Sequence, residues 1–264
     1  MLITSLTNPK IKHIVRLRER RARDKAGEFL IEGYRELSRA VTGGQAITDL
    51  YICPQLFLGS NENKLIDAIK GTGAEIFKCH ESVFQKMSYR DRPDGLIGVA
   101  KQNLQTLKDI PQSATSPFYI VAEAVEKPGN LGTILRSSDA VDVDGLILCD
   151  KCTDIYNPNV VRASVGTLFT VPFYEATTEE TIPWLKEQGI HILAATPSAT
   201  HDYTQVDLTV PLAIAVGTEQ YGLSDRWMNE ADLQVKIPMR GVADSLNVAM
   251  ATTVLLYEVL RQRS

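Results

Sequence analysis

The chain has 264 residues, 44% of them apolar and 23% charged, enough for an ordinary core and for more than one domain. The net charge of −4 hides an imbalance, because residues 1–40 carry ten Lys or Arg against five Asp or Glu and the rest of the chain is acidic. No apolar run approaches the roughly 20 residues of a bilayer span, and the start lacks a secretory leader, so a cytoplasmic protein without membrane contact is expected.

Residues 8–25 read as one helix, with Ile11, Ile14, Val15 and Leu17 on one side and arginines on the other. Eight basic residues fall between positions 10 and 25, against Glu19 and Asp24. Lys10, Lys12, Arg16, Arg20, Arg21 and Arg23 are therefore candidate contacts to a nucleic-acid backbone. A solvated helix face is the plainer alternative. Short elements then alternate. Strands are expected at 29–31, 50–52, 74–78 and 95–100, and helices at 33–40, 62–70 and 81–87. This makes a small α/β unit.

Residues 101–117 are polar and punctuated by Pro111 and Pro117, which reads as a linker. A second α/β unit follows. Its strands are expected at 118–123, 145–149, 169–173, 191–195, 212–217 and 233–237, and its helices at 131–141, 158–165, 178–188 and 245–262. The strands are nearly continuous apolar runs, as in a mostly parallel sheet with helices on both faces.

Cys149 and Cys152 have C-x-x-C spacing, which fits zinc, redox chemistry or plain thiols. Cys53 and Cys79 are isolated and far upstream, so reduced thiols and no metal are expected.

Three stretches of the second unit concentrate polar chemistry. The first runs from Glu126 through Asn130, Leu131 and Gly132 to Arg136. Asn130 suits a helix N-cap. Arg136 lies off the buried stripe of Leu131, Ile134, Leu135 and Ser138, so it serves either as a surface residue or as a planar fork for phosphate. The second stretch ends a strong strand with Gly217-Thr218-Glu219-Gln220-Tyr221-Gly222-Leu223. Glycine there permits a tight turn and close ligand approach, and Glu219 is either a helix-terminal charge or an orienting group. The third stretch leads from Ile237-Pro238-Met239 to Ser245-Leu246-Asn247-Val248. One of Ser245 and Asn247 can cap the last helix, and two polar residues so close imply a further task.

Together these motifs resemble the SpoU-type (TrmH-like) RNA ribose methyltransferases of the SPOUT class. The match rests on Asn-x-Gly-x-x-x-Arg, Gly-x-Glu-x-x-Gly-Leu and Ile-Pro-Met…Ser-Leu-Asn-Val in that order, with Arg162-Ala163-Ser164-Val165-Gly166 between the first two. Residues 118–264 carry it. Residues 1–100 resemble the family's RNA-binding domain, which is similar to kink-turn-binding ribosomal proteins. The resemblance implies a division into 1–100 for RNA recognition, 101–117 as linker and 118–264 for catalysis, with a C-terminal trefoil knot. It implies S-adenosyl-L-methionine as cofactor, held near Thr196, Gly217, Ile237 and Leu246. It implies a homodimer that methylates a ribose 2′-hydroxyl of RNA, more readily ribosomal than transfer RNA, with no role for DNA. Asn130, Arg136, Glu219, Ser245 and Asn247 would form the catalytic set.

No histidine suits a general base: His191 starts a strand, His201 sits in a polar loop, and His13 and His80 belong to the first unit. Arg136 is a poor base because its pKa exceeds about 12, so it is assigned to gripping phosphate and placing the ribose, and the proton acceptor stays open. A non-catalytic RNA- or ribosome-binding module is the alternative, and it leaves the polar set at 130, 136, 219, 245 and 247 without a purpose.

Overall fold

The computed structural model describes residues 2–111, 115–150 and 152–264. Residues 112–114 of the expected linker and Lys151 of the C-x-x-C lie outside the described residues.

In chain order the first elements are β1 (Leu2–Ile3), α1 (Pro9–Arg16), α2 (Arg20–Ala26), β2 (Glu28–Glu32), α3 (Tyr34–Thr42), β3 (Ile47–Ile52), α4 (Glu62–Gly71), β4 (Glu75–Cys79), α5 (Glu81–Met87) and β5 (Leu96–Lys101). The expected single helix over 8–25 is two helices, α1 and α2. Neither Gly nor Pro marks the break. Its cause is Arg23, whose Nη1 donates to Leu17 O at 2.9 Å and Arg18 O at 2.7 Å, folding α2 back beneath the end of α1. The five strands form a mixed sheet in the order β1-β4-β3-β5-β2, with β5 antiparallel to both neighbours.

The chain continues through β6 (Phe118–Glu123), α6 (Pro128–Ala140), β7 (Gly145–Cys149), α7 (Pro158–Ala163), β8 (Phe173–Ala176), α8 (Thr178–Glu187), β9 (His191–Ala195), β10 (His201–Asp202), β11 (Leu212–Val216), α9 (Asp225–Glu230), β12 (Leu233–Lys236) and α10 (Val248–Arg263). Seven strands form a second sheet in the order β10-β12-β9-β11-β6-β7-β8, and every neighbouring pair is parallel. The central strands β11, β6 and β7 are buried throughout, which explains their unbroken apolar sequences. The strand expected at 169–173 starts only at Phe173. Gly166 takes the left-handed conformation (φ +88°) and opens a 3-10 turn over Thr167–Phe169, and Pro172 precedes the strand.

Two compact units result. One comprises residues 1–103 and 154–170, the other 104–153 and 171–264. Residues 154–170, which the sequence reading keeps with the distal unit, cluster with the first. Within that unit Arg23 meets Asp154 in a buried ion pair, Phe29 lies against Tyr156 with ring centroids 4.3 Å apart, and Arg39 Nη1 donates to Val165 O at 2.6 Å. Residues 104–111 carry a Thr106/Asp109 capping box, and Ile110 joins the second unit's core.

Cys149 Sγ lies 3.1 Å from Thr181 Oγ1, and Cys152 Sγ donates to Ala122 O at 3.1 Å. Burial raises the Cys149 pKa and pushes Cys152 up to about 11. Both thiols are protonated at neutral pH and poorly nucleophilic. Iodoacetamide should leave them unmodified in the native protein and label them after denaturation; fast native labelling of Cys152 would disprove this.

Candidate active site

β12, β9, β11 and β6 are adjacent and parallel, so their carboxyl ends share one edge of the sheet. Ligands of open parallel sheets gather at that edge. Thr196 follows β9, Gly217 follows β11 and Ile237 follows β12, so three of the four expected cofactor positions are brought to one place. Thr196 N donates to Val235 O at 3.0 Å, tying two of these turns together. Leu246 lies farther on, in the stretch between β12 and α10.

The turn after β11 is tight. Thr218 and Gly222 exchange backbone hydrogen bonds at 2.9 and 3.0 Å, and Gly222 has φ +71°. A Cβ on Gly217 would overlap the Gly222 carbonyl and Leu223 N. Only glycine closes this loop, and it leaves main-chain groups at the surface of the cradle. Gly217→Val should therefore abolish cofactor binding by calorimetry while far-ultraviolet circular dichroism stays native. Unchanged affinity would show that the turn is not the cradle.

The turn presents Glu219, whose carboxylate accepts from Lys127 Nζ and Asn130 Nδ2. Asn247 Nδ2 in turn donates to Asn130 Oδ1 at 3.2 Å, while Asn247 Oδ1 accepts from Ala249 N at 3.0 Å and caps α10. One polar chain thus joins the loop after β6, the turn after β11 and the start of α10. Asn130 is not the N-cap the sequence implied. Pro128 takes the first helical position and Lys127 the cap, which puts Asn130 inside the first turn with its amide free to reach Glu219. A cavity of about 190 Å³ opens beside this chain, lined by Val125, Lys127, Gly217, Glu219, Tyr221 and Val248 among others.

Arg136 sits six residues beyond Asn130 on α6, and its side chain is exposed. Among the described residues it has no ion-pair partner. Its helix is rigidly placed, because Leu131, Ile134, Leu135 and Ser138 are buried and Ser137 Oγ lies 2.6 Å from Thr253 Oγ1 of α10. Ser245 is exposed in the stretch between β12 and α10, and among the described residues no hydrogen bond links it to the Glu219 chain. His191 begins β9, at the opposite end of that strand from Thr196.

Residues 117–257 match the SpoU rRNA Methylase family, and residues 8–98 match the MRM3-like substrate binding domain. The chain belongs to the SpoU rRNA Methylase family. It is 31% identical over 254 residues to a 23S rRNA (uridine(2479)-2′-O)-methyltransferase of Streptomyces viridochromogenes, covering 94% of this chain and 87% of that protein. A 23S rRNA (guanosine-2′-O-)-methyltransferase of Vibrio parahaemolyticus is 37% identical over 204 residues, covering 75% of this chain and 83% of that one. Among solved structures, an AdoMet-bound rRNA methyltransferase from Sinorhizobium meliloti superposes with a TM-score of 0.90 at 32% identity, covering 99% of this chain and 97% of that one.

In this SpoU methylase the basic N-terminal residues fall into two classes. Lys12, Arg16 and Arg21 are exposed and take no ion-pair partner among the described residues. Lys10 is paired to Asp49 and Glu75 at 3.6 Å and lies over the Phe77 ring, and Arg20 reaches Asp24 at 3.6 Å. Arg23 is a correction to the sequence reading: it is 1% exposed and is consumed by Asp154 and two carbonyls. Spacing alone does not separate it from its neighbours. Lys127 and Tyr221 were also missed, although both adjoin motif residues. Tyr221 is 81% exposed at the cavity mouth. Among the described residues no helix is long and apolar enough to cross a membrane, and no cluster of His, Cys, Asp and Glu could hold a metal ion.

Proposed function

We propose that this SpoU methylase transfers a methyl group to a ribose 2′-hydroxyl of ribosomal RNA. The observation that carries this reading is the shared carboxyl edge, where Thr196, Gly217 and Ile237 end adjacent strands beside the Glu219–Asn130–Asn247 chain. Names of relatives as 23S rRNA 2′-O-methyltransferases support it. The cradle fits S-adenosylmethionine because the glycine turn leaves room for main-chain contacts, and the cofactor supplies an electrophilic methyl on a sulfonium. The trefoil knot implied by the sequence motifs belongs to the same reading.

The chain's own residues then act by placement. Arg136 grips an RNA phosphate and sets the ribose for attack. Asn130 and Asn247 present amides to the sugar. Glu219 holds Asn130, and Lys127 balances the carboxylate so that the pocket does not repel the RNA. Ser245 lies on the chain segment that borders the cofactor. As the ribose oxygen gains the methyl, its proton leaves to water or a neighbouring group.

The first unit recognises RNA, the second carries the chemistry, and two copies assemble through α10, whose Met250, Tyr257 and Leu260 are exposed apolar residues on a helix otherwise packed inward. The protein works in the cytoplasm, in keeping with its four unpaired cysteines. Incubation with labelled S-adenosylmethionine and unmodified ribosomal RNA should give one alkali-resistant 2′-O-methylated position. Methylation of transfer RNA alone would correct the substrate, and cofactor binding without transfer to any RNA would return the protein to a binding module.

A further inference from the structure

A second cavity, of about 210 Å³, lies in the first unit, lined by Leu6, Ile11, Lys12, Val15, Arg16 and Lys86. Ile11 and Val15 are one turn apart on α1, as are Lys12 and Arg16, so an apolar row and a basic row run side by side. Leu6 is 52% exposed, a large apolar side chain left in water. Its loop is shaped by Ser5 Oγ, which accepts from Thr7 N at 3.2 Å. Lys86 comes from α5, and the end of α5 is pinned: Arg18 Nη2 donates to Lys86 O at 2.8 Å and to Ser88 O at 2.5 Å. The walls are therefore set before any ligand arrives.

The charges differ from those around them. Lys10, His13 and Arg20 all have carboxylate partners in Asp49, Glu28 and Asp24. Among the described residues Lys12, Arg16 and Lys86 have none. Three unpaired cations around an apolar floor complement a ligand with a flat apolar face and a phosphate on either side. A duplex hides its bases and offers only phosphates, so it would leave the floor uncovered. An unpaired nucleotide offers both.

We infer that this groove is a single-stranded RNA subsite, in which one unpaired base covers Leu6, Ile11 and Val15 while its flanking phosphates lie on Lys12, Arg16 and Lys86. The inference rests on the reading of the protein as an RNA enzyme and names where unpaired RNA is held outside the active site. No aromatic ring lines the groove, so the base is held by apolar burial and its phosphates rather than by ring stacking.

The full protein is titrated with a labelled oligouridylate and with an RNA duplex of equal length at several salt concentrations. Leu6→Ala should weaken oligouridylate binding several-fold and leave duplex binding unchanged. The triple variant Lys12→Gln, Arg16→Gln, Lys86→Gln should flatten the log–log salt dependence by about 0.7 per cation removed. A wild-type slope in the triple variant overturns the proposal, as does an equal loss of duplex binding in Leu6→Ala. Loss of ribosome binding with oligouridylate binding intact also overturns it and makes a protein the occupant. Methyl transfer by the wild-type protein is measured in parallel; its failure would strike the catalytic reading alone, because the slope and the Leu6 contrast still decide the groove.

Discussion

Arg136→Ala should lower methyl transfer by about 100-fold or more while calorimetric binding of S-adenosylmethionine stays within about twofold. The first figure follows from positioning, because a misplaced nucleophile loses about two orders of magnitude in rate. The second follows from geometry. Arg136 stands on the exposed side of α6, away from the turns after β9, β11 and β12. Arg136→Lys should recover only part of the rate, since an ammonium lacks the planar fork that grips phosphate at two points. Turnover near wild type in Arg136→Ala would remove this residue from the active site. Loss of cofactor binding in the same variant would make it part of the cradle instead.

The largest effect on stability should come from Arg23. Its guanidinium bonds Asp154 and the carbonyls of Leu17 and Arg18, and the side chain is almost fully enclosed. Arg23→Met strips a buried carboxylate of its partner and frees two carbonyls. Breaking one side of such a pair costs roughly 3–5 kcal/mol. Urea unfolding should show the loss as a lower midpoint, and adding Asp154→Asn should restore part of it. A shift below about 1 kcal/mol would mean that the pair is solvated and that α2 is held by packing alone.

These two arginines show what a sequence conveys. Arg136 was legible because a helical stripe of Leu131, Ile134, Leu135 and Ser138 fixes which way it points. Arg23 was not, because its partner lies 131 positions away and nothing local separates it from Arg20 or Arg21. The strands of the second sheet were readable as apolar runs buried on both faces. β8 was misplaced because the apolar run at 168–171 is spent on a 3-10 turn that Gly166 opens. α9 has only six residues, too few to show a period, and is held by Trp227, whose Nε1 donates to Thr178 Oγ1 at 2.9 Å. Asn130 was misread as a cap although Pro128, a standard first helical residue, stood two positions earlier. Its contact with Glu219 spans 89 positions and emerges only when β6 and β11 pair.

The allotment of residues 154–170 to the first unit has a consequence for how this protein can be dissected or recombined. The polypeptide passes from one unit to the other at 103/104, 153/154 and 170/171. A cut near position 100 would therefore yield a first fragment without Asp154, Tyr156 and α7, leaving the guanidinium of Arg23 and the ring of Phe29 bare. For the same reason a single crossover between two such genes cannot exchange the RNA-recognition unit whole. Inheritance of a new specificity must carry the internal loop along, or change side chains one at a time on a body that stays threaded through its neighbour.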